Sequence, residues 1–153
     1  MRRDASSGMS PCVGAAMRKA SRRLTQLYDN ALGASGLRST QYTILAEVER
    51  RSGKPPTMAE LAEALVMDRS ALGHNLRPLE RDGFVTLEAS SKDRRRRHVI
   101  MTARGRVKLR EARRLWKTAQ DRFAEVFGAG KAARLRATLL EIAHDERLAM
   151  LPD

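Results

Sequence analysis

The chain has 153 residues, short for two independent cores, and reads as one folding unit. Its 30 Lys and Arg against 18 Asp and Glu leave a formal charge of +12, which favours a polyanionic partner, nucleic acid before others. A single cysteine excludes an internal disulfide and a thiolate metal cluster, and with neither a membrane-length apolar run nor a secretory leader the expected location is the cytoplasm.

Residues 1–10 mix charge, Ser and Gly without periodicity and are expected to form a mobile arm. From residue 13 to 32 the apolar positions recur at three and four residues, which predicts a first helix ended by Gly33 and Gly36. Ser39 stands as the N-cap of a second helix over 40–51, with Ile44, Leu45 and Val48 inward. After Pro55-Pro56, Thr57-Met58-Ala59-Glu60 has the spacing of a capping box and opens a short helix over 58–65. Asp68 is positioned to cap the next helix, over 69–82, and two short helices so closely joined suggest a helix-turn-helix.

On the helical wheel of that second helix, Leu72, Leu76 and Leu79 share one side, while Ser70, His74, Arg77 and Arg81 point the opposite way. The outward face is rich in donors suited to phosphates and base edges. Asn75 lies to one side, where it could read an adenine, and Ala71 and Gly73 leave room for close approach. Pro78 cannot donate to the carbonyl of His74, which predicts a kink or an early end near Asn75.

Strand composition at 84–87 and 98–101 flanks the polar stretch 88–97, in which Lys92, Arg94, Arg95, Arg96 and Arg97 crowd around Asp93. A hairpin with so basic a loop reads as a wing whose tip arginine can enter a minor groove, with Asp93 pairing a neighbouring arginine to shape the loop. A long helix follows over 103–127, and its Leu109, Ala112, Trp116, Ala119, Phe123 and Val126 are spaced as a heptad seam, consistent with packing on the chain's own core or on a second copy. Gly128 and Gly130 interrupt, and a last helix is expected over 131–150. The histidines His74, His98 and His144 are scattered. With no phosphate loop and no nucleophile motif, no catalytic residue, metal or cofactor is expected.

Residues 57–105 resemble the DNA-binding region of the MarR family. The resemblance rests on the capping-box helix, Leu79-Glu80-Arg81-Asp82-Gly83-Phe84-Val85, the wing Lys92-Asp93-Arg94-Arg95, and Val99-Ile100-Met101-Thr102-Ala103-Arg104-Gly105. It implies a mainly α fold with a small β-hairpin wing: a winged helix-turn-helix lobe over about 37–102, and dimerisation helices over about 11–35 and 103–150 within one domain spanning 11–153. It further implies a homodimer reading a palindromic operator on double-stranded DNA, a transcription regulator with Arg95 as the minor-groove arginine and Asp93 as its structural partner. A small aromatic or phenolic effector is implied between the dimer helices and the DNA-binding lobe, where Tyr28, Tyr42 and Trp116 are candidate lining residues.

Cys12, at the start of the first helix, suggests a second switch, because a helix N-terminus and nearby arginines favour reactive thiolates in general. The family's organic-peroxide sensors hold a cysteine near this place with two tyrosines. Here the cysteine is displaced by about two residues, Tyr28 matches one tyrosine, and Ser39 replaces the other. A constitutive architectural DNA binder is the remaining alternative.

Overall fold

The computed structural model describes residues 11–149. The arm expected over 1–10 and the expected end of the last helix at Met150 lie outside the described residues. In chain order come α1 (Val13–Leu32), α2 (Ser39–Arg50), α3 (Met58–Ala64), α4 (Arg69–Arg81), β1 (Val85–Ala89), β2 (Arg97–Met101), α5 (Ala103–Phe127) and α6 (Ala129–His144), with 3-10 turns at Gly33–Ser35 and Glu146–Leu148. The architecture is mainly α with one hairpin.

The helix starts follow local chemistry. Thr57 Oγ1 accepts from Glu60 N (3.2 Å) while the Glu60 carboxylate accepts from Thr57 N (2.8 Å), so the capping box of α3 is closed. Asp68 accepts from Ala71 N at 2.7 Å to start α4. The start of α2 departs from the expectation: Arg38, not Ser39, is the N-cap residue, and the Ser39 N–H donates to Asp29 Oδ1 of α1 at 2.7 Å. A carboxylate ten residues upstream does the work that the Ser39 hydroxyl was expected to do.

Pro78 neither ends nor shortens α4, which runs on to Arg81. A proline inside a helix costs roughly 3 kcal/mol. Leu72, Leu76 and Leu79 are fully buried on the same helix, each contributing roughly 1.5–3 kcal/mol, and their joint burial outweighs that cost.

The hairpin is antiparallel with Val85 opposite Met101 and Ala89 opposite Arg97, one residue later at the start and two later at the end of β1 than expected, so the wing loop narrows to 90–96. The chain before α3 adds a third, partial strand: Val99 N donates to Pro56 O (2.9 Å), Thr57 bridges His98, and His98 Nδ1 donates to Pro55 O (3.0 Å). At the far end of the hairpin Thr102 caps α5, donating from Oγ1 to Gly83 O (2.7 Å) and accepting from Gly105 N (2.9 Å).

One core unites α2, α3, α4, the hairpin and the first half of α5 through Ile44, Leu45, Val48, Leu61, Leu72, Leu76, Val85, Val99, Leu109 and Ala112. The seam of α5 is therefore divided. Leu109 and Ala112 belong to the chain's own core and Trp116 packs against it, whereas Val126 is 69% exposed. The last helix stops at His144, six residues early, because Asp145 turns extended and its carboxylate captures Arg147 N (3.1 Å) in a new turn. No residue of α6 is buried.

Candidate nucleic-acid interface and internal cavity

The outward face of α4 forms because its leucines bury one side and leave the other to solvent. Ser70, His74 and Arg77 are exposed, Ala71 is half-buried, and a Cβ built at Gly73 would meet nothing within 4 Å. Asn75 is partly committed: its Nδ2 donates one hydrogen to the Ala71 carbonyl at 2.9 Å, leaving the second N–H and the side-chain oxygen for another partner. Arg81, at the helix end, pairs with Asp82 at 3.0 Å.

The wing is shaped by Asp93. Its carboxylate accepts from Arg95 N (2.9 Å), its backbone carbonyl accepts from Arg96 N (2.9 Å), and Arg96 Nε stands 3.9 Å from Oδ2. Ser90 N donates to Arg96 O (2.8 Å) and closes the loop. With the backbone turned in this way Arg94, Arg95, Arg96 and Arg97 all project exposed side chains.

The hairpin's return then brings Arg95, Arg96 and Arg97 alongside Arg69 and the start of α3 around one cleft of about 380 Å³. Arg69 is the neighbour of the wing arginines that sequence reasoning missed. On a wheel it falls off the outward face of α4, and only the folded-back wing makes it a neighbour of the arginine cluster. The three wing arginines and Arg69 face the same space, an arrangement whose mutual repulsion an anionic strand relieves.

A second, larger cavity of about 810 Å³ lies between α1, the start of α2, the middle of α5 and α6. Its wall holds an aromatic column in which Trp116 stacks on Tyr28 (6.3 Å between ring centroids) and on Tyr42 (5.8 Å). The three candidate lining residues are thus brought together, and Cys12 and Ser39 lie on the same wall. Leu135 and Leu139 of α6 line it from the other side, one helical turn apart, a pairing visible in the sequence only as ordinary helix periodicity, and the exposed Val13, Ser21 and Thr25 leave it open to solvent along α1. Tyr28 donates to Gln120 Oε1 at 2.5 Å, and burial, followed by the nearby Tyr42, pushes its phenol pKa up. Burial raises that of Tyr42 as well, against the opposing pull of Arg113 at its hydroxyl.

Among known proteins, the profile of the MarR family matches residues 35–96. No curated protein sequence matches the chain. The Mycobacterium tuberculosis transcriptional regulator MosR is 34% identical, with a TM-score of 0.75 over 88% of this chain and 96% of that one. The same regulator in complex with DNA is 35% identical, with a TM-score of 0.78 over 92% and 99% of the two chains. The transcriptional repressor CouR bound to a 23-mer DNA duplex is 25% identical, with a TM-score of 0.78 over 87% and 93%.

Proposed function

Because the chain belongs to the MarR family of transcription regulators, DNA-binding proteins rather than enzymes, we propose that it is a repressor that binds a palindromic operator as a homodimer and is released by a small aromatic or phenolic effector. The observation that carries this reading is the convergence of Arg69 and the wing arginines on one cleft beside the exposed face of α4. Ser70 and His74 read base edges, Ala71 and Gly73 allow the approach, Arg77, Arg94, Arg96 and Arg97 neutralise phosphates, and Arg95 enters the minor groove. Solved complexes of MosR and CouR with DNA support the use of this fold on a duplex.

The second copy is supported by what one copy leaves uncovered. No residue of α6 is buried, Leu140 and Ile142 are exposed on it, and Val126 and Phe127 stand exposed at the adjoining end of α5. Such a surface is the kind that a partner helix covers. The effector's place is the cavity at the aromatic column, since α1 and α5 line it on one side and α2, the first helix of the DNA-binding lobe, on the other. A ligand there acts by favouring one relative placement of the two parts. A thiol-based alternative draws on one observation, Cys12 on the wall of that same cavity.

The test compares Arg95→Ala, Ser70→Ala and Arg97→Ala on operators altered at the flanks or at the half-site centres. Arg97→Ala should weaken all duplexes alike and reduce the salt slope by about one unit per lost phosphate contact. Ser70→Ala should cost about 1–3 kcal/mol and relax preference at one position of each half-site, while Arg95→Ala should respond to A·T content. Uniform loss across the panel for all three would instead indicate an architectural DNA binder.

A further inference from the structure

The large cavity differs in chemistry from the rest of the molecule. Charged residues make up 31% of the chain, yet none of the sixteen residues lining the cavity is charged. Its oxygen groups are hydroxyls: Ser21, Thr25, Ser39, Thr43 and the two phenols, whose pKa burial raises further above the neutral range. The remainder of the wall is aliphatic or aromatic apart from the sulfurs of Cys12 and Met17.

We propose that this cavity selects an uncharged, mainly apolar ligand larger than a single aromatic ring and discriminates against organic anions, a specificity that rests on the reading of the same cavity as the effector site. Three observations converge on it. First, a carboxylate or sulfonate moved from water to this wall finds hydroxyl donors but no lining cation to offset the hydration it loses. Second, two of the charged groups next to the wall, Asp29 and Arg113, already have partners. Asp29 takes the Ser39 N–H at 2.7 Å and stands 3.5 Å from the Arg38 guanidinium, so the start of α2 faces the cavity with its amide used and a carboxylate nearby. Arg113 is engaged at the Tyr42 hydroxyl. Third, about 810 Å³ falls in the upper part of the ~300–1,000 Å³ range of small-molecule sites, far more than one ring fills. The start of α1 also lies on this rim, where the Arg18 guanidinium and Cys12 Sγ both come within 4 Å of the Gly14 Cβ position, and the anionic probe in the experiment measures what this end attracts.

The matched probes are phenylnaphthylamine and its sulfonated analogue, anilinonaphthalene sulfonate, which share one fluorophore and differ by one charge. Trp116 is the only tryptophan in the chain and stands in the wall, so energy transfer from it is strongest for a probe seated in this cavity, and the arginine variants below locate the probe there. Titrations at roughly 0.5 M salt remove the long-range attraction that a net charge of +12 exerts on any anion. The neutral probe should bind at least about tenfold more tightly than the sulfonate, with transfer from Trp116. Thr43→Arg places a guanidinium at an exposed lining position of α2 and should reverse the order, and Ser21→Arg on α1 does the same from the opposite wall. Equal or tighter binding of the sulfonate to the native protein, no transfer from Trp116 with either probe, or an unreversed preference in both arginine variants overturns the proposal. Operator affinity is followed in the same titrations. Selective uptake of the neutral probe without any change in operator affinity leaves the ligand class standing and retires the effector reading alone.

Discussion

Two glycines within helices make opposite predictions from the same substitution. At Gly105, in the first turn of α5, a Cβ would lie 2.0 Å from the Phe84 carbonyl oxygen, 2.6 Å from Met101 Sδ and 2.9 Å from the Phe84 carbonyl carbon. The methionine can swing away, but the carbonyl is held as the acceptor of Thr102 N at 3.1 Å. An ordinary contact therefore requires the start of α5 to retreat from the hairpin by more than about 1 Å, through the Thr102 hydroxyl bonds that join them. Alanine gains about 1 kcal/mol over glycine from helix propensity, against an overpacking cost that here falls on main chain and exceeds the usual ~1–3 kcal/mol. Gly105→Ala should lose about 2–3 kcal/mol net, a fall in Tm of roughly 5–10 °C for a domain of this size. At Gly73 the same methyl meets nothing within 4 Å, so Gly73→Ala should gain up to about 1 kcal/mol while weakening operator binding, because its methyl stands on the face assigned to the groove. Thermal unfolding and operator titration of both variants check this. A Gly105→Ala protein as stable as the native one would refute the reasoning, since no route to relief without moving α5 exists in the contacts described.

Val66 adopts φ 51° in the turn between α3 and α4 while 63% exposed, a left-handed conformation costly for a β-branched residue, so Val66→Gly should raise stability by about 1 kcal/mol in denaturant titration. Hydrogen bonds from Arg50 first, then Arg51, lower the Glu47 pKa; for Asp29 burial pushes upward but Ser39 and Arg38 more than reverse it. Both carboxylates are thus depressed in the folded state. Their stabilisation is present above about pH 4 and lost as pH falls through the folded values, so a Tm unchanged between about pH 5 and pH 2.5 would contradict these ion pairs. If Cys12 acts as a thiol switch, organic hydroperoxide should release the native protein from its operator and leave Cys12→Ser bound; equal release of both leaves ligand control alone.

The parts of the fold that were legible in the sequence are those fixed within a few residues. Thr57 with Glu60 and Asp68 with Ala71 cap their helices through bonds spanning three residues, and the alternation of polar and apolar positions on α4 needs no knowledge of the rest of the chain. Apart from the early end of α6, set by the local Asp145–Arg147 turn, what was misread depends on distant partners. The cap of α2 comes from Asp29, on another helix, and Pro78 is tolerated because leucines on its own helix meet α2 and the hairpin. The heptad spacing of α5 is the same whether it meets its own core or a second chain, so periodicity alone does not divide Leu109 from Val126. The wing arginines announced themselves by density, whereas Arg69 joins them only through the return of the hairpin. Tyr28, Tyr42 and Trp116 come from three separate helices, and their stacking is a product of packing that sequence spacing does not encode.

The partial third strand divides the wing by timescale. Val99 N is tied to Pro56 and His98 to Pro55, both in the segment that leads into α3, while the loop 90–96 beyond them hangs on the few bonds organised by Asp93. Amide exchange at Val99 should therefore follow opening of the whole lobe, and exchange at Arg95 and Arg96 the much more frequent breathing of a short loop. Contact with a duplex would then slow the second class far more than the first, so the base of the wing keeps time with the fold and its tip with the DNA.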